Sequence, residues 1–497
     1  MFLTFNKPNF TCRVSFENRA LPRTAGFQWD ENKKTWYTQS PSVAARLRQY
    51  ADENARKEIN RILLVHKPWS GRIEFKSELT PYDFQLEGVK FALERNKSYI
   101  AFDPGLGKTA VAAIVSCTLK YDSCVYICPP FLMKTVEYEF LNWGAKTPFI
   151  VSDTMIHKPE IRKQIMQIGI KSPSLLFVDE AHRFNNPTSR RSKMLFGYQP
   201  SIGDSIEGIT SWFSKIVLLS GTPMPNRPIE LFPILNACAP ETIEFMNRFE
   251  YGRYYCAGFR TEYGWDFSGA SRMQELAAKV KGEFMLRKRK KEVLKELPEK
   301  TEGLVLIGDD LPRTIDTLDR SILRDFSPTD LMGFIAPNDH IATYRKELGK
   351  LKVAKSCALI KDLLLNSNES ILIFAIHKEV VAKLVKGLSA FDPLVVTGDV
   401  PTQKRAAIVK EFQTNKKRRL FIGNIDACGI GFTLTKATRV DFVEFSWVPS
   451  VNEQASDRAH RIGQTSNVLV QYHVFKNSID RVVIETILRK RKVTKHI

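Results

Sequence analysis

The sequence predicts an α/β protein: two parallel-sheet lobes with helical insertions, preceded by a small α+β unit. Three observations predict it. Short apolar runs alternate with helical stretches at 99–102, 124–128, 175–178 and 216–219, and the same alternation returns at 371–375, 420–422, 440–445 and 468–473. Runs this short and this uniformly apolar suit strands buried on both faces, as in a parallel sheet covered by helices. A glycine-rich loop closes the first run, at the carboxyl edge where α/β sheets bind ligands.

Taken in order, residues 1–55 form a small unit of their own. Cys12, Val14 and Phe16 alternate, and Asp30 to Lys33 reads as a hairpin turn between two aromatic strands carrying Trp29 and Trp36. An amphipathic helix is expected from Ser42 to about Arg56. Basic and aromatic side chains interleave here, which fits a DNA-binding surface. It fits equally the core of a tiny domain with little else to bury. A connector, 56–79, holds Pro68 and Gly71 and leads past Pro81 into the first lobe, 80–238. Residues 239–351 are helical in pattern and strongly charged; 352–482 form the second lobe, and 483–497 a basic C-terminal helix. Within 239–351, Arg287, Lys288, Arg289, Lys290 and Lys291 make either a phosphate track or a solvated helix face.

The chain has 497 residues, 43% hydrophobic and 26% charged, enough for several cores and unlike a disordered protein. Its 74 Lys+Arg against 54 Asp+Glu leave a net charge of +20. That excess is spread along the chain and favours a polyanionic partner, most simply nucleic acid, over a membrane surface. Eight cysteines lack paired C-x-x-C spacing and read as reduced core thiols, not a zinc site. Residues 1–10 lack a signal-peptide pattern, and no run of about 18 apolar residues spans a bilayer. A cytoplasmic location is expected.

Chemistry is concentrated in three segments. Asp103, Pro104, Gly105, Leu106, Gly107, Lys108 and Thr109 stand between a strand and a helix. Gly105 and Gly107 let backbone N–H groups close around phosphate oxygens, Lys108 reaches the β and γ phosphates, and the Thr109 hydroxyl suits Mg²⁺. The usual first glycine of this pattern falls at Phe102. Downstream, the run 175–178 ends in Asp179, Glu180, Ala181 and His182. Asp179 is placed to hold the metal through its water shell and Glu180 to polarise the attacking water. Finally, Arg458 and Arg461 are three apart, one helical turn, so both are expected to point into one cleft and stabilise phosphoryl-transfer charge.

With these in place the chain resembles superfamily 2 helicase-type motors of the SNF2 family. Tyr82, Gln85 and Gly88 resemble its adenine-recognition region, 103–109 its motif I, Pro129, Pro130 and Trp143 motif Ia, 179–182 motif II, and Ser220 to Pro223 motif III. Gly398, Arg405 and Phe412 resemble an intermediate motif. Gly429, Gly431, Leu434 and Thr435 resemble motif V, and DRAHRIGQ at 457–464 is the SNF2 form of motif VI. Pro104 and Thr433 depart from the usual Met and Asn. The stretch Gly264 to Gly269, with Met285, Leu286, Arg287, Leu297 and Pro298, is similar to the HARP-type annealing-helicase branch, and residues 1–55 are faintly similar to the HARP module.

The resemblance implies two RecA-like lobes and a DNA-dependent ATPase that translocates on duplex or branched DNA, remodelling or reannealing forks and junctions, with ATP and Mg²⁺. It also implies roles. Lys108, Asp179, Glu180, Arg458 and Arg461 are catalytic. Gln85, Asp103, Gly105, Gly107, Thr109 and Gln454 bind nucleotide, with Thr109 and Asp179 on the metal. Ser220, Thr222, Gly429 and Gly431 couple nucleotide state to DNA. Trp29, Trp36, Lys288, Lys290 and Thr435 contact DNA. A compact bacterial or phage-borne monomer is expected. An ATP-gated scaffold and a strand-separating DNA or RNA helicase are the rival readings; a scaffold needs neither Glu180 nor both arginines.

Overall fold

The computed structural model describes residues 1–198, 205–262, 264–308, 339–428, 432–476 and 478–496. The chain falls into two compact units, chiefly Met1–Lys288 and Arg289–Lys495.

The first unit opens with a four-stranded antiparallel sheet. Its strands are β1 (Phe2–Asn6), β2 (Asn9–Arg13), β3 (Gln28–Asp30) and β4 (Thr35–Thr38), in the order β1-β2-β4-β3. The Asp30 carboxylate accepts the Asn32 and Lys33 N–H groups at 3.1 and 3.0 Å, which closes the β3–β4 turn. Trp36 packs on the module's core of Leu3, Phe10, Cys12, Ala44 and Ile59. Trp29 meets it edge-on at 5.4 Å and stays exposed. The single helix expected over 42–56 is instead three pieces: Pro41–Ala45, a 3₁₀ turn at Arg48–Tyr50, and Glu53–Asn60. Ala51 turns extended to bridge Leu3, and the Asp52 carboxylate caps the next helix through the Ala55 N–H at 2.7 Å. Tertiary pairing with β1 overrides helical periodicity. Arg46 fastens the module to the rest of its unit, pairing with Glu250 and donating to the Phe245 carbonyl.

The sheet of the first lobe comprises β5 (Lys97–Phe102), β6 (Ser123–Cys128), β7 (Phe149–Ser152), β8 (Ser174–Val178) and β9 (Lys215–Leu219). A surface hairpin, β10 (Phe259–Thr261) with β11 (Gly264–Asp266), comes next, and then β12 (Met285–Lys288). The sheet order is β12-β5-β9-β8-β6-β7, every pairing parallel. β5, β6, β8 and β9 are buried along their whole length, as helices on both faces require.

The second unit repeats the plan with β13 (Lys300–Gly308), β14 (Ile371–Ala375), β15 (Leu394–Val396), β16 (Leu420–Asn424), β17 (Arg439–Phe442) and β18 (Val468–Phe475). Its order is β13-β18-β17-β14-β16-β15, again all parallel. Three buried polar groups tie β17 and β18 to the long helix Asp339–Asn366. The His473 ring lies 2.9 Å from Asp441 and 2.8 Å from the Ser356 hydroxyl, all three fully buried.

The segment 239–351, expected to be helical, does hold helices at Arg248–Tyr255 and Met273–Val280. It also supplies β10 to β13, and β12 and β13 are edge strands of the two large sheets. β12 has only two apolar residues before Arg287 and Lys288, and in β13 the apolar residues 304–307 follow a charged start and alternate between exposed and half-buried, as edge strands do. Among the described residues no helix is long and apolar enough to cross a membrane. Cys12, Cys124, Cys128, Cys238, Cys256 and Cys357 are buried free thiols.

Candidate nucleotide site and the arginine segment

At the centre of the first sheet, β5, β9, β8 and β6 are neighbours, so the loops leaving their carboxyl ends share one edge. From β5 the chain enters the glycine-rich loop. Gly105 and Gly107 have φ of +92° and +75°, left-handed conformations open to glycine at little cost. Gly107 then starts the helix Lys108–Leu119, and the positive amino end of a helix suits an anion. Lys108 donates to the Phe102 carbonyl at 3.0 Å. Gln85, on the helix Asp83–Leu93, is buried with its Oε1 accepting the Tyr82 N–H at 3.0 Å. Its amide nitrogen lies so close to Gly107 that any Cβ there would overlap it.

β8 delivers Asp179, which is 4% exposed. One oxygen accepts the Glu180 N–H at 2.9 Å and the other the Tyr126 hydroxyl at 3.0 Å. Tyr126 is wholly buried on β6, with the Thr109 side chain close to the same hydroxyl. The hydroxyl thus lies beside both residues assigned to the metal and is bonded to Asp179. Burial and the adjacent Glu180 charge push the Asp179 carboxyl up to about 6, against the pull of Lys108 and the Tyr126 hydrogen bond. The Thr109 hydroxyl and the Asp179 carboxylate, on either side of the Tyr126 hydroxyl, are a hard oxygen donor set, which fits Mg²⁺.

Glu180 has φ +50°, and its carboxylate lies 3.2 Å from His182 Nδ1. The same ring nitrogen is 2.8 Å from the Ser220 hydroxyl, which leaves β9 and accepts the Thr222 N–H at 3.1 Å. His182 Nδ1 thus stands between the Glu180 carboxylate and the Ser220–Thr222 pair, in hydrogen-bond contact with the Ser220 hydroxyl and at ion-pair distance from Glu180.

The Asp103 carboxylate accepts from Arg287 at 2.7 Å, which braces β12 beside the loop. Other expectations are corrected. Lys288 and Lys290 do not form a phosphate track or a solvated helix face. Lys288 sits on β12 paired with Glu87 at 2.6 Å. Lys290, in the second unit, is 5% exposed, bonded to Asp457 at 2.8 Å and donating to the His460 carbonyl at 2.6 Å.

That ion pair organises the arginine segment. Burial alone would raise the Asp457 carboxyl, but Lys290 and Lys300, the latter 2.9 Å away, hold it well below the usual carboxylate range. The helix Pro449–Ser456, which carries the half-buried Gln454, ends before Asp457. Arg458 and Arg461 consequently lie on successive turns, not on one helical face. Arg458 is 5% exposed, and its carbonyl accepts the Leu434 N–H at 2.8 Å. Arg461 donates to the Phe432 carbonyl at 3.1 Å and the Thr433 hydroxyl at 3.3 Å. Gln464 locks the end of the segment by donating to the Thr435, Ala437 and Ala459 carbonyls at 2.9 to 3.0 Å. Thr435 also accepts from Gln413 at 3.1 Å. Gly429 and Gly431 lie outside the described residues.

Sequence reasoning missed Tyr126 and Lys300, and it gave Lys290 to DNA instead of to Asp457. Tyr126 reads as one more apolar strand residue, and the lysines as two among 74 basic side chains; no spacing marks a partner contributed by another strand.

Comparison with known proteins places these features in a lineage. Residues 138–308 match the SNF2-related domain and 352–463 the helicase conserved C-terminal domain. The SWI/SNF-related matrix-associated actin-dependent regulator of chromatin subfamily A-like protein 1 of Xenopus tropicalis is 29% identical over 444 residues, 84% of this chain and 44% of that protein. The mouse DNA annealing helicase and endonuclease ZRANB3 is 28% identical over 452 residues, 85% of this chain and 41% of that protein. The chain thus spans less than half the length of these two relatives. Among solved structures, the Sulfolobus solfataricus SWI2/SNF2 ATPase core in complex with dsDNA aligns with 86% of this chain and 94% of its own at 18% identity, with a TM-score of 0.37. The chain thus carries an SNF2-related domain followed by a helicase conserved C-terminal domain, and along most of its length it is similar to SWI/SNF-related proteins and to an annealing helicase.

Proposed function

We propose that this chain is a DNA-dependent ATPase that translocates on duplex or branched DNA and remodels or reanneals forks and junctions. The observation that carries the ATPase reading is the convergence, on one sheet edge, of the phosphate loop, the Tyr126–Asp179 hydrogen bond beside Thr109, and the cluster of Glu180, His182, Ser220 and Thr222.

In this reading the loop N–H groups and Lys108 cradle the triphosphate. Thr109 and Asp179 hold Mg²⁺, which when bound neutralises phosphate charge. Glu180 accepts the proton of the attacking water at a carboxylate oxygen. His182 passes the position of that carboxylate to Ser220 and Thr222, on the segment assigned to coupling. Arg458 and Arg461 supply planar charge to the transferring phosphoryl group, and the surrounding bonds to Phe432, Thr433 and Leu434 hold them ready. The fork-directed output rests on similarity to ZRANB3, whose name describes an annealing helicase.

The test is ATP hydrolysis measured with single-stranded DNA, duplex, fork, four-way junction and RNA as activators, alongside gel assays of labelled forks and partial duplexes. Stimulation by duplex or branched DNA, fork regression or bubble reannealing, and little displacement from a partial duplex are expected. Efficient strand displacement, or stimulation by RNA alone, would overturn the reading. Glu180→Gln should bind ATP and hydrolyse it poorly; normal turnover would remove Glu180 from the chemistry.

A further inference from the structure

The hairpin β10–β11 carries the Gly264–Trp265–Asp266–Phe267 stretch, which the ATPase site does not use. Phe267 is its foundation. Its ring fills the space above Gly252 and Gly258, where a Cβ on either glycine would overlap it. Trp265 lies nearly parallel to Phe267, 16° off with centroids 6.2 Å apart. Phe249, from the helix Arg248–Tyr255, meets the Trp265 ring edge-on at 4.6 Å.

Despite this mutual packing, Trp265 and Phe249 remain 42% and 41% exposed. Cations surround them. The exposed Arg253 guanidinium is 5.9 Å from both ring centroids. Arg260 pairs directly across the hairpin with Trp265, so the two share one face of the ribbon. Of the nearby acids, Glu250 is engaged by Arg46 and Asp266 accepts the Ser268 N–H at 2.6 Å.

We propose that Phe249, Arg253, Arg260 and Trp265 form a stacking platform for an unpaired DNA base, a single-strand site separate from the nucleotide machinery. An aromatic ring seated on rigid neighbours loses little entropy when a base stacks on it, and every base offers a π-face, so the platform takes any sequence. Arg253 and Arg260 meet the flanking phosphates, which gives the site the charge sign the polyanion needs. An unpaired base is the fitting occupant because a duplex presents no free base face. A branch-acting motor has use for such a site: it reports the single-stranded arm or gap beside the duplex being tracked. The inference rests on the reading of the chain as DNA-acting.

The experiment uses the full chain and oligonucleotides carrying one 5-iododeoxyuridine, irradiated and mapped by mass spectrometry, with duplex-stimulated ATPase measured in parallel. Crosslinks to Trp265 or Phe249 are expected with single-stranded and forked probes and not with blunt duplex. Trp265→Ala should weaken oligo(dT) binding by about tenfold or more, and Trp265→Phe should restore most of it. Duplex-stimulated ATPase should stay unchanged in both. Because the crosslink is read on the unaltered protein, a poorly folding Trp265→Ala leaves the test intact. Absence of crosslinks at these residues while duplex stimulates the ATPase overturns this inference alone. Absence of stimulation by any DNA overturns the broader reading instead. Equal or stronger crosslinking to a uridine-containing RNA would overturn the assignment to DNA.

Discussion

Replacing Lys290 separates a structural lysine from a DNA-binding one. Its ammonium is buried, 2.8 Å from Asp457 and 2.6 Å from the His460 carbonyl. Removing one partner of a buried ion pair costs about 3–5 kcal/mol, since the other charge is stranded. In this case Lys300 stays 2.9 Å from Asp457, so Lys290→Met belongs at the lower limit, about 3 kcal/mol. At about 2–4 °C per kcal/mol for a unit of this size, the thermal transition that includes the second unit should fall by about 6–12 °C. Turnover should fall too, because Asp457 and His460 frame Arg458. The slope of log DNA affinity against log salt should not change, whereas loss of one phosphate contact would flatten it by about 0.9. Asp457→Asn removes the carboxylate that both lysines share and leaves Lys300 with Glu302 at 4.0 Å, so it should cost at least as much as Lys290→Met. Asp457 has its folded pKa lowered, so its stabilising contribution is present above the ordinary carboxylate range and is lost as pH falls through the lowered value. The Asp457→Asn variant should therefore lose less stability on acidification than the parent. An unmoved thermal transition together with a flatter salt slope would refute the reasoning and return Lys290 to the DNA surface.

Three further outcomes are expected. Tyr126→Phe deletes the hydroxyl that donates to Asp179 at 3.0 Å, a bond to a charged acceptor typically contributing about 1.5–3 kcal/mol; Mg²⁺ titrations of nucleotide binding should show half-saturation rising by about tenfold or more, with metal-free nucleotide binding little altered. Gly107→Ala forces a left-handed conformation costing about 1–2 kcal/mol and drives a methyl into the Gln85 amide, so fluorescent-nucleotide titration should show binding lost while circular dichroism stays native. Arg461→Ala should leave nucleotide binding intact and cut turnover by about 10³-fold or more, and Arg461→Lys should recover little, because a point charge cannot replace the fork that reaches Phe432 and Thr433; near-normal hydrolysis by the lysine variant would exclude a direct role.

Elements and motifs whose signal is local were legible in the sequence. The central strands of both sheets carry uninterrupted apolar runs because helices cover both their faces, and the glycines of the phosphate loop are required by the positive φ of the turn itself. Sequence alone therefore determined the α/β alternation, the loop at 103–109, the acidic pair at 179–180 and the motif order behind the family resemblance. Only the tertiary structure decided the rest. β12 and β13 carry charge, so their pattern hides that they complete the two sheets. The helix expected over 42–56 breaks because Ala51 is claimed by Leu3. Arg458 and Arg461 leave their expected helix where Asp457 is held by two lysines. Lys290 and Lys291 are adjacent and chemically identical, yet one is buried against a carboxylate and the other is exposed. A side chain's charge is written in the sequence, but what that charge does depends on the dielectric and the partner that folding places beside it, and those come from residues far away along the chain.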